Sequence, residues 1–199
     1  MKIADENILE PFFRYIRYKE GLGCIKTSKS VTIVDLGSGP KAEFYDYALH
    51  GGVIFKQYIG IDPLISNETI EKYKKGQNFK LIQSPLVKTI PLKDESVDYV
   101  VGLAFLEHLD NPQDIMLESI RVLKKGGIAI FTTPAPRAKS VLEFLSFKLN
   151  LISKELIEEH KLYLNKKRIF KMLNSNKQIE LLHRYFEFGF NNLIVIKKK

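Results

Sequence analysis

Through the first two thirds of the chain, short apolar runs take turns with stretches in which apolar residues recur every three or four positions. The runs fall at about 31–36, 57–61, 79–83, 97–103 and 127–133 and read as strands. The strongest are rich in Val and Ile without a regular polar alternation, as in strands covered on both faces of a parallel sheet. The periodic stretches, at about 42–50, 67–75 and 113–123, read as helices. Asn111-Pro112 suits the start of the third helix, and Gly126-Gly127 suits a stop before the fifth strand. Strand and helix in regular turn predict an α/β fold with a parallel sheet and helices on both faces.

The flanks carry different patterns. Ile8, Leu9, Phe12, Phe13 and Ile16 lie at helical spacing and predict an amphipathic helix over 5–19. After Pro134-Ala135-Pro136, residues 138–150 place Val141, Leu142, Leu145 and Leu149 at helical spacing, with Phe144 and Phe147 beyond that face. Such an excess must meet another surface: the N-terminal helix, an acceptor, a second subunit or a lipid. A further helix over 165–173 and two strands at 178–188 and 191–197, joined around Gly189, complete the pattern.

Candidate chemistry clusters at strand ends. The run 31–34 ends in Asp35 and breaks into Gly37-Ser38-Gly39, a glycine turn into a helix that lets backbone approach a ligand. The spacing Gly37-x-Gly39-x-x-Ala42 also fits a dinucleotide fingerprint, so a nicotinamide cofactor remains open on this segment alone. Asp62 closes the second apolar run, where a carboxylate at a strand end can accept hydrogen bonds from ribose hydroxyls.

Taken in order, VTIVDLGSGPK, QYIGIDP, IPLKDESVDYVVGLAFLEHL and RVLKKGGIAIFTTP resemble the motifs of class I S-adenosylmethionine-dependent methyltransferases. The likeness is greater to the small-molecule branch whose fourth strand runs into an LEHL loop, and it covers residues 30–134, continuing more loosely beyond. It implies a Rossmann-like, doubly wound, mostly parallel sheet with a C-terminal antiparallel hairpin, and S-adenosyl-L-methionine as cofactor. Asp35 matches the acid that orients the loop, and Gly37 and Gly39, around Ser38, match the glycines against which the cofactor lies. Lys41, preceded by Pro40, stands where a third glycine usually falls. Asp62 matches the ribose-binding acid, followed by Pro63 and Leu64 at the adenine face. The loop after the third strand, QSPLVKTIPL, lacks the usual adenine-binding acid, which leaves backbone groups, Gln83 or Ser84.

In the LEHL loop, Leu103 and Ala104 match residues lining the methionine end, and His108 matches a histidine near the acceptor. An unperturbed imidazole suits proton removal from a hydroxyl, and the competing reading is a histidine that merely braces a neighbouring helix. Glu107 reads as holding the loop, and Asp98 as structural. His160 and Tyr163, in EEHKLYL, match a His-x-x-Tyr/Phe element that orients an acceptor or braces a lid. Residues 134–163, PAPRAKSVLEFLSFKLNLISKELIEEHKLY, resemble, less specifically, a segment of methyltransferase-like proteins of bacterial cell-surface polysaccharide synthesis. The resemblance implies O-methylation of a small-molecule, saccharide or lipid-linked acceptor. The alternatives are a nicotinamide-dependent oxidoreductase and a non-catalytic partner-binding protein on a degenerate methyltransferase fold.

Bulk properties fit one domain: N-terminal helix 5–22, cofactor core 31–134, helical lid 135–175 and hairpin 177–197. At 199 residues and 45% hydrophobic, the chain can bury a sizeable core. No stretch approaches ~18 uninterrupted apolar residues, and acids stand where a signal peptide needs apolar ones. The single cysteine, Cys24, fits a reducing, cytoplasmic setting. Residues 161–199 carry ten basic and two acidic side chains, while 1–160 balance. That tail reads as a solvated surface or as an attraction for an anionic acceptor. No zinc-ligand spacing and no aromatic nucleic-acid motif appear, so neither a metal site nor nucleic-acid binding is expected.

Overall fold

The first strand shows how this sequence builds its centre. In a computed structural model of the chain, β1 (Val31–Leu36) is buried along its whole length. Ile33 and Val34, on opposite faces, are both fully buried, which is why the segment reads as a run and not an alternation. The structure describes residues 8–26, 28–74, 76, 78–85, 88–149, 151–174 and 176–199, with the side chains of 155 and 156 outside that description.

Beside β1 lie β2 (Phe55–Ile61) and β4 (Val97–Leu103), then β3 (Phe79–Ile82) beyond β2 and β5 (Leu123–Pro134) beyond β4, all parallel. The hairpin of β6 (Ile179–Phe186) and β7 (Asn191–Lys198) adds antiparallel to β5. The order is β3-β2-β1-β4-β5-β7-β6, the expected doubly wound sheet with a closing hairpin. Strand order reverses between β1 and β4, where successive strands are added first to one side and then to the other, and a crevice opens outside their C-terminal ends.

Helices cover both faces. On one, Ile33, Tyr58, Tyr99, Val101 and Ile130 pack with Phe44 and Ala48 of α2 (Glu43–His50) and with Ile16 and Leu22 of α1 (Glu10–Leu22). On the other, Val34, Ile59 and Val100 meet Ile115 and Met116 of α4 (Pro112–Val122) and Ile169 and Leu173 of α7 (Lys166–Leu173). Side-chain caps set two starts: Ser66 Oγ accepts from Thr69 N–H at 3.1 Å for α3 (Asn67–Tyr73), and Asn165 Oδ1 from Arg168 N–H at 2.9 Å for α7. Arg121 holds the chain before β4, donating to the carbonyls of Ile90 and Leu92 and pairing with Asp94 and Glu118.

Several boundaries differ from the sequence reading. Gly126-Gly127 is not a helix stop but a bulge inside β5: Val97 pairs with Leu123 and Tyr99 already with Ile128. Gly126 has φ 77°, and a Cβ on Gly127 would stand 3.0 Å from the Asp98 carbonyl. The helix expected over 138–150 is α-helical only through α5 (Ala138–Glu143) and widens into a π turn at Phe144–Lys148, where Leu149 N–H donates to the Phe144 carbonyl. A short helix α6 (Lys154–Glu158) follows it, unforeseen. β6 ends at Phe186, because Glu187, Phe188 and Gly189 all turn to positive φ. The N-terminal helix begins later than expected and runs to Leu22, and positions 5–7 lie outside the described residues.

Candidate active site

The glycine turn after β1 is fixed by β2. Gly37 and Ser38 N–H donate to the Ile61 carbonyl at 2.9 and 3.4 Å, and Gly39 N–H donates to Asp62 Oδ2 at 3.0 Å. Asp62 Oδ1 accepts from Leu64 N–H at 2.7 Å, so this one carboxylate ties the glycine loop to the turn after β2. Both glycines sit at φ 72°, a region that costs other residues strain. A Cβ on Gly37 would reach 2.7 Å from the Phe105 ring, whereas that on Gly39 would meet open space.

Asp35 stands one layer behind the loop. Its carboxylate is buried and accepts the Tyr58 hydroxyl at 2.5 Å. Burial lifts its pKa to about 7, opposed by the Tyr58 hydrogen bond and reinforced by the nearby Asp62 charge. Burial also raises Asp62, opposed by the Leu64 and Gly39 N–H groups.

A cavity of about 990 Å³ opens beside Gly37, Ser38 and Gly39. α1 supplies Phe13, Ile16 and Arg17 to its wall; the insertion after β5 supplies Val141, Leu142, Leu145, Ile152 and Ile157. The insertion is pinned to α1: Leu9 N–H donates to the Leu151 carbonyl, and Ser153 N–H to Glu10 Oε1 at 2.6 Å. Ala104, at φ 54° and held by its N–H to the Thr132 carbonyl and hydroxyl, also faces the cavity.

Glu107 and His108 form a 3₁₀ turn that reaches into the same space. Lys161 N–H donates to the Glu107 carbonyl at 2.9 Å and so brings His160 alongside, its ring centroid 5.2 Å from that of His108. Ligand atoms of Glu107, His108 and His160 lie within 4.8 Å of one another. Glu107 Oε2 and His108 Nδ1 are buried without a hydrogen-bond partner. Burial raises the Glu107 pKa against the pull of His108 and Arg17, and burial lowers His160 to about 4, reinforced by His108 and Arg17. Tyr163 stays 3.4 Å from His160 Nδ1. Burial also pulls down the Arg17 guanidinium, opposed by Glu187 and Glu107.

Of the residues singled out in sequence, the fold thus gathers Gly37, Ser38, Gly39, Ala104, Glu107, His108 and His160 around one cavity. Asp35 and Asp62 stand behind the loop, Pro63 is exposed, and Leu103 packs against Gly21 of α1. Gln83 donates to the Pro63 carbonyl at 3.3 Å. Arg17 went unnoticed because an arginine on an amphipathic helix ordinarily marks the solvated face. Four cations of the charge-rich tail stand in ion pairs: Lys161 with Asp110, Lys197 with Glu180, Lys198 with Glu95, and Arg184 with Glu20.

Residues 34–131 match the family described as a methyltransferase domain. On this fold, that match supports a class I S-adenosylmethionine-dependent methyltransferase, with S-adenosylmethionine as its cofactor. Among relatives, the chain is 26% identical over 77% of its length to a ubiquinone biosynthesis O-methyltransferase of Vibrio atlanticus, covering 64% of that protein. It is 32% identical over 61% of its length to the ubiquinone biosynthesis O-methyltransferase of Rickettsia bellii, covering 52% of it. The chain therefore spans between half and two thirds of the length of these two relatives. An S-adenosylmethionine-dependent methyltransferase structure from Mesorhizobium loti shares the fold at TM-score 0.67 and 13% identity, over 92% of this chain and 98% of that one.

The site's own geometry fits the cofactor. The space beside Gly39 admits a ligand against backbone, Ser38 Oγ is buried without a partner, and the Asp62 oxygens keep lone pairs beyond those given to Gly39 and Leu64. Among the described residues, no helix is long and apolar enough to cross a membrane.

Proposed function

We propose that the chain transfers a methyl group from S-adenosylmethionine to an oxygen of a largely apolar acceptor, which loses its hydroxyl proton at the His108 end of the cavity. The observation that carries this reading is the cavity's polarity. Its lining is mainly apolar, with Phe, Ile, Leu and Val side chains from α1 and the insertion, and its polar groups include Glu107, His108, His160 and Arg17 beside Arg14, Glu20, Lys41, Glu43 and Glu187. Ser38 and the backbone of Gly37, Gly39 and Ala104 would hold the methionine part, with Leu103 behind them. Asp62 would hold the ribose hydroxyls, with Pro63 beside the adenine and Asp35 bracing the loop. The cofactor supplies an already electrophilic sulfonium methyl, so the protein's tasks are alignment and proton removal.

Apolar walls favour an apolar small molecule or a lipid-linked acceptor over a bare saccharide, whose hydroxyls would lose water without gaining partners. The relatives named as O-methyltransferases favour oxygen as the methylated atom. Arg17 suits an anionic group on the acceptor, and the insertion of residues 135–165 acts as its lid. The reported relatives lend no support to polysaccharide synthesis or to a nicotinamide cofactor, and a solely partner-binding protein leaves the cavity without a use. The test incubates the full chain and methyl-labelled S-adenosylmethionine with hydrophobic phenols and alcohols, isoprenoid-linked alcohols and nucleotide sugars. Label on an apolar hydroxyl is expected; transfer solely to nitrogen or solely to nucleotide sugars contradicts the proposal.

A further inference from the structure

We propose that Glu107, His108 and His160 together hold one divalent transition-metal ion at the polar end of the cavity, and that this ion acidifies the acceptor hydroxyl. The second half of the statement rests on the methyl-transfer reading above; the ion site itself does not.

The sequence shows no ligand spacing, because two ligands are neighbours and the third lies over fifty residues away. The fold closes that distance through the Lys161 N–H bond to the Glu107 carbonyl. Two imidazoles and one carboxylate, their ligand atoms within 4.8 Å, form a donor set of the kind that binds zinc and iron with positions left open. Around a bound ion, donors at about 2.0–2.2 Å stand some 3–3.5 Å apart, so side-chain rotation must draw the three together by roughly 1 Å. Loss of the buried Glu107 Oε2 and His108 Nδ1 from water is uncompensated by any hydrogen bond, and a cation meeting both removes that penalty. Glu107 is only 1% exposed, unlike a solvated surface acid. The cluster also borders the cavity, where acceptor or water completes the coordination.

With the ion in place, the acceptor hydroxyl meets it through an oxygen lone pair. The O–H bond ionises, and its proton passes to water at the cavity mouth. The freed oxygen pair forms the new O–C bond as the C–S bond breaks, and the electrons of that bond stay on sulfur. His108 then promotes proton loss by holding the cation.

The experiment titrates Co²⁺ into the tag-free, chelator-treated full chain, reading the visible ligand-field absorption and the heat of binding. The wild type is expected to take up one equivalent, with an absorption band shaped by imidazole ligands. Glu107→Gln and His160→Ala should each weaken uptake about 100-fold, whereas Asp94→Asn, a carboxylate away from the cavity, should leave it unchanged. Thermal melts certify that each variant is folded, with His160→Gln replacing any alanine variant that is not. No band and no heat in the wild type, or unchanged uptake in both folded ligand variants, overturns the proposal. Dialysis of S-adenosylmethionine on the same samples separates the two readings. Cobalt uptake without cofactor binding sustains the ion site while removing the methyl-transfer reading; cofactor binding without cobalt uptake does the reverse.

Discussion

Asp62 joins two loops of the fold at the place proposed for the cofactor's ribose. Its two oxygens accept backbone N–H groups from loops after different strands, and in the proposed complex their remaining lone pairs would accept from the ribose hydroxyls. Charged hydrogen bonds contribute roughly 1.5–3 kcal/mol, so Asp62→Ala should weaken S-adenosylmethionine binding about ten- to a hundredfold by calorimetry. Unchanged affinity in the folded variant would remove Asp62 from the site. His108→Ala, by contrast, should leave cofactor affinity nearly intact and lower turnover by roughly 10²–10⁴, measured with the acceptor found in the labelling screen. Wild-type turnover would make His108 structural. Asp35 leaves a signature in stability. Its folded pKa of about 7 exceeds the ordinary 3.8, so the folded state binds the proton more tightly than the unfolded state. Stability from this group is therefore highest below about pH 4, falls as pH rises through the window to about 7, and stays low above it. Asp35→Asn, which keeps an acceptor for Tyr58, should flatten that slope in urea unfolding across the window. Parallel curves for the two proteins would show that Asp35 titrates as an ordinary carboxylate.

The elements differ in how plainly the sequence announces them. β1 and β4 were legible because each is a largely buried parallel strand, whose two covered faces favour a mostly apolar run over a regular polar alternation. The glycine pair at 126–127 misled because glycine serves helix ends and bulges alike, and only the pairing of β4 with β5 distinguishes them. The π turn at Phe144–Lys148 was hidden for a related reason: a turn one residue wider changes which face each apolar side chain takes. Candidate residues within one motif were found together, whereas Arg17 and the meeting of Glu107 with His160 depend on the packing of α1 and the insertion. That insertion also yields a dynamic prediction. It rests on α1 through few backbone bonds, and Phe144 and Leu149 remain about half exposed. In hydrogen exchange, residues 138–158 should exchange faster than β1 and β5, and slow when cofactor and acceptor are both present. Acceptor-induced slowing that spares the insertion contradicts the lid; protection equal to that of the sheet in the free protein points to a dimer interface there.

At the scale of the whole molecule, the sheet presents the glycine turn, the end of β2 and the turn after β4 at one edge, at the switch point between β1 and β4. α1 and the insertion line the crevice with apolar side chains, so the proposed function divides cofactor and acceptor between the sheet and its cover. Arg184, Lys197 and Lys198 of the basic tail stand in ion pairs around β6 and β7, while α1 brings Arg17 to the cavity. The glycine spacing alone fits two cofactors, and the matched methyltransferase segment decides between them in favour of S-adenosylmethionine. Equilibrium dialysis of the full chain against labelled S-adenosylmethionine and, separately, labelled NAD tests that choice most directly. Saturable binding of S-adenosylmethionine, displaced by its demethylated product, is expected, with no retention of NAD. Saturable NAD binding, or failure of the folded chain to retain S-adenosylmethionine, would contradict that choice.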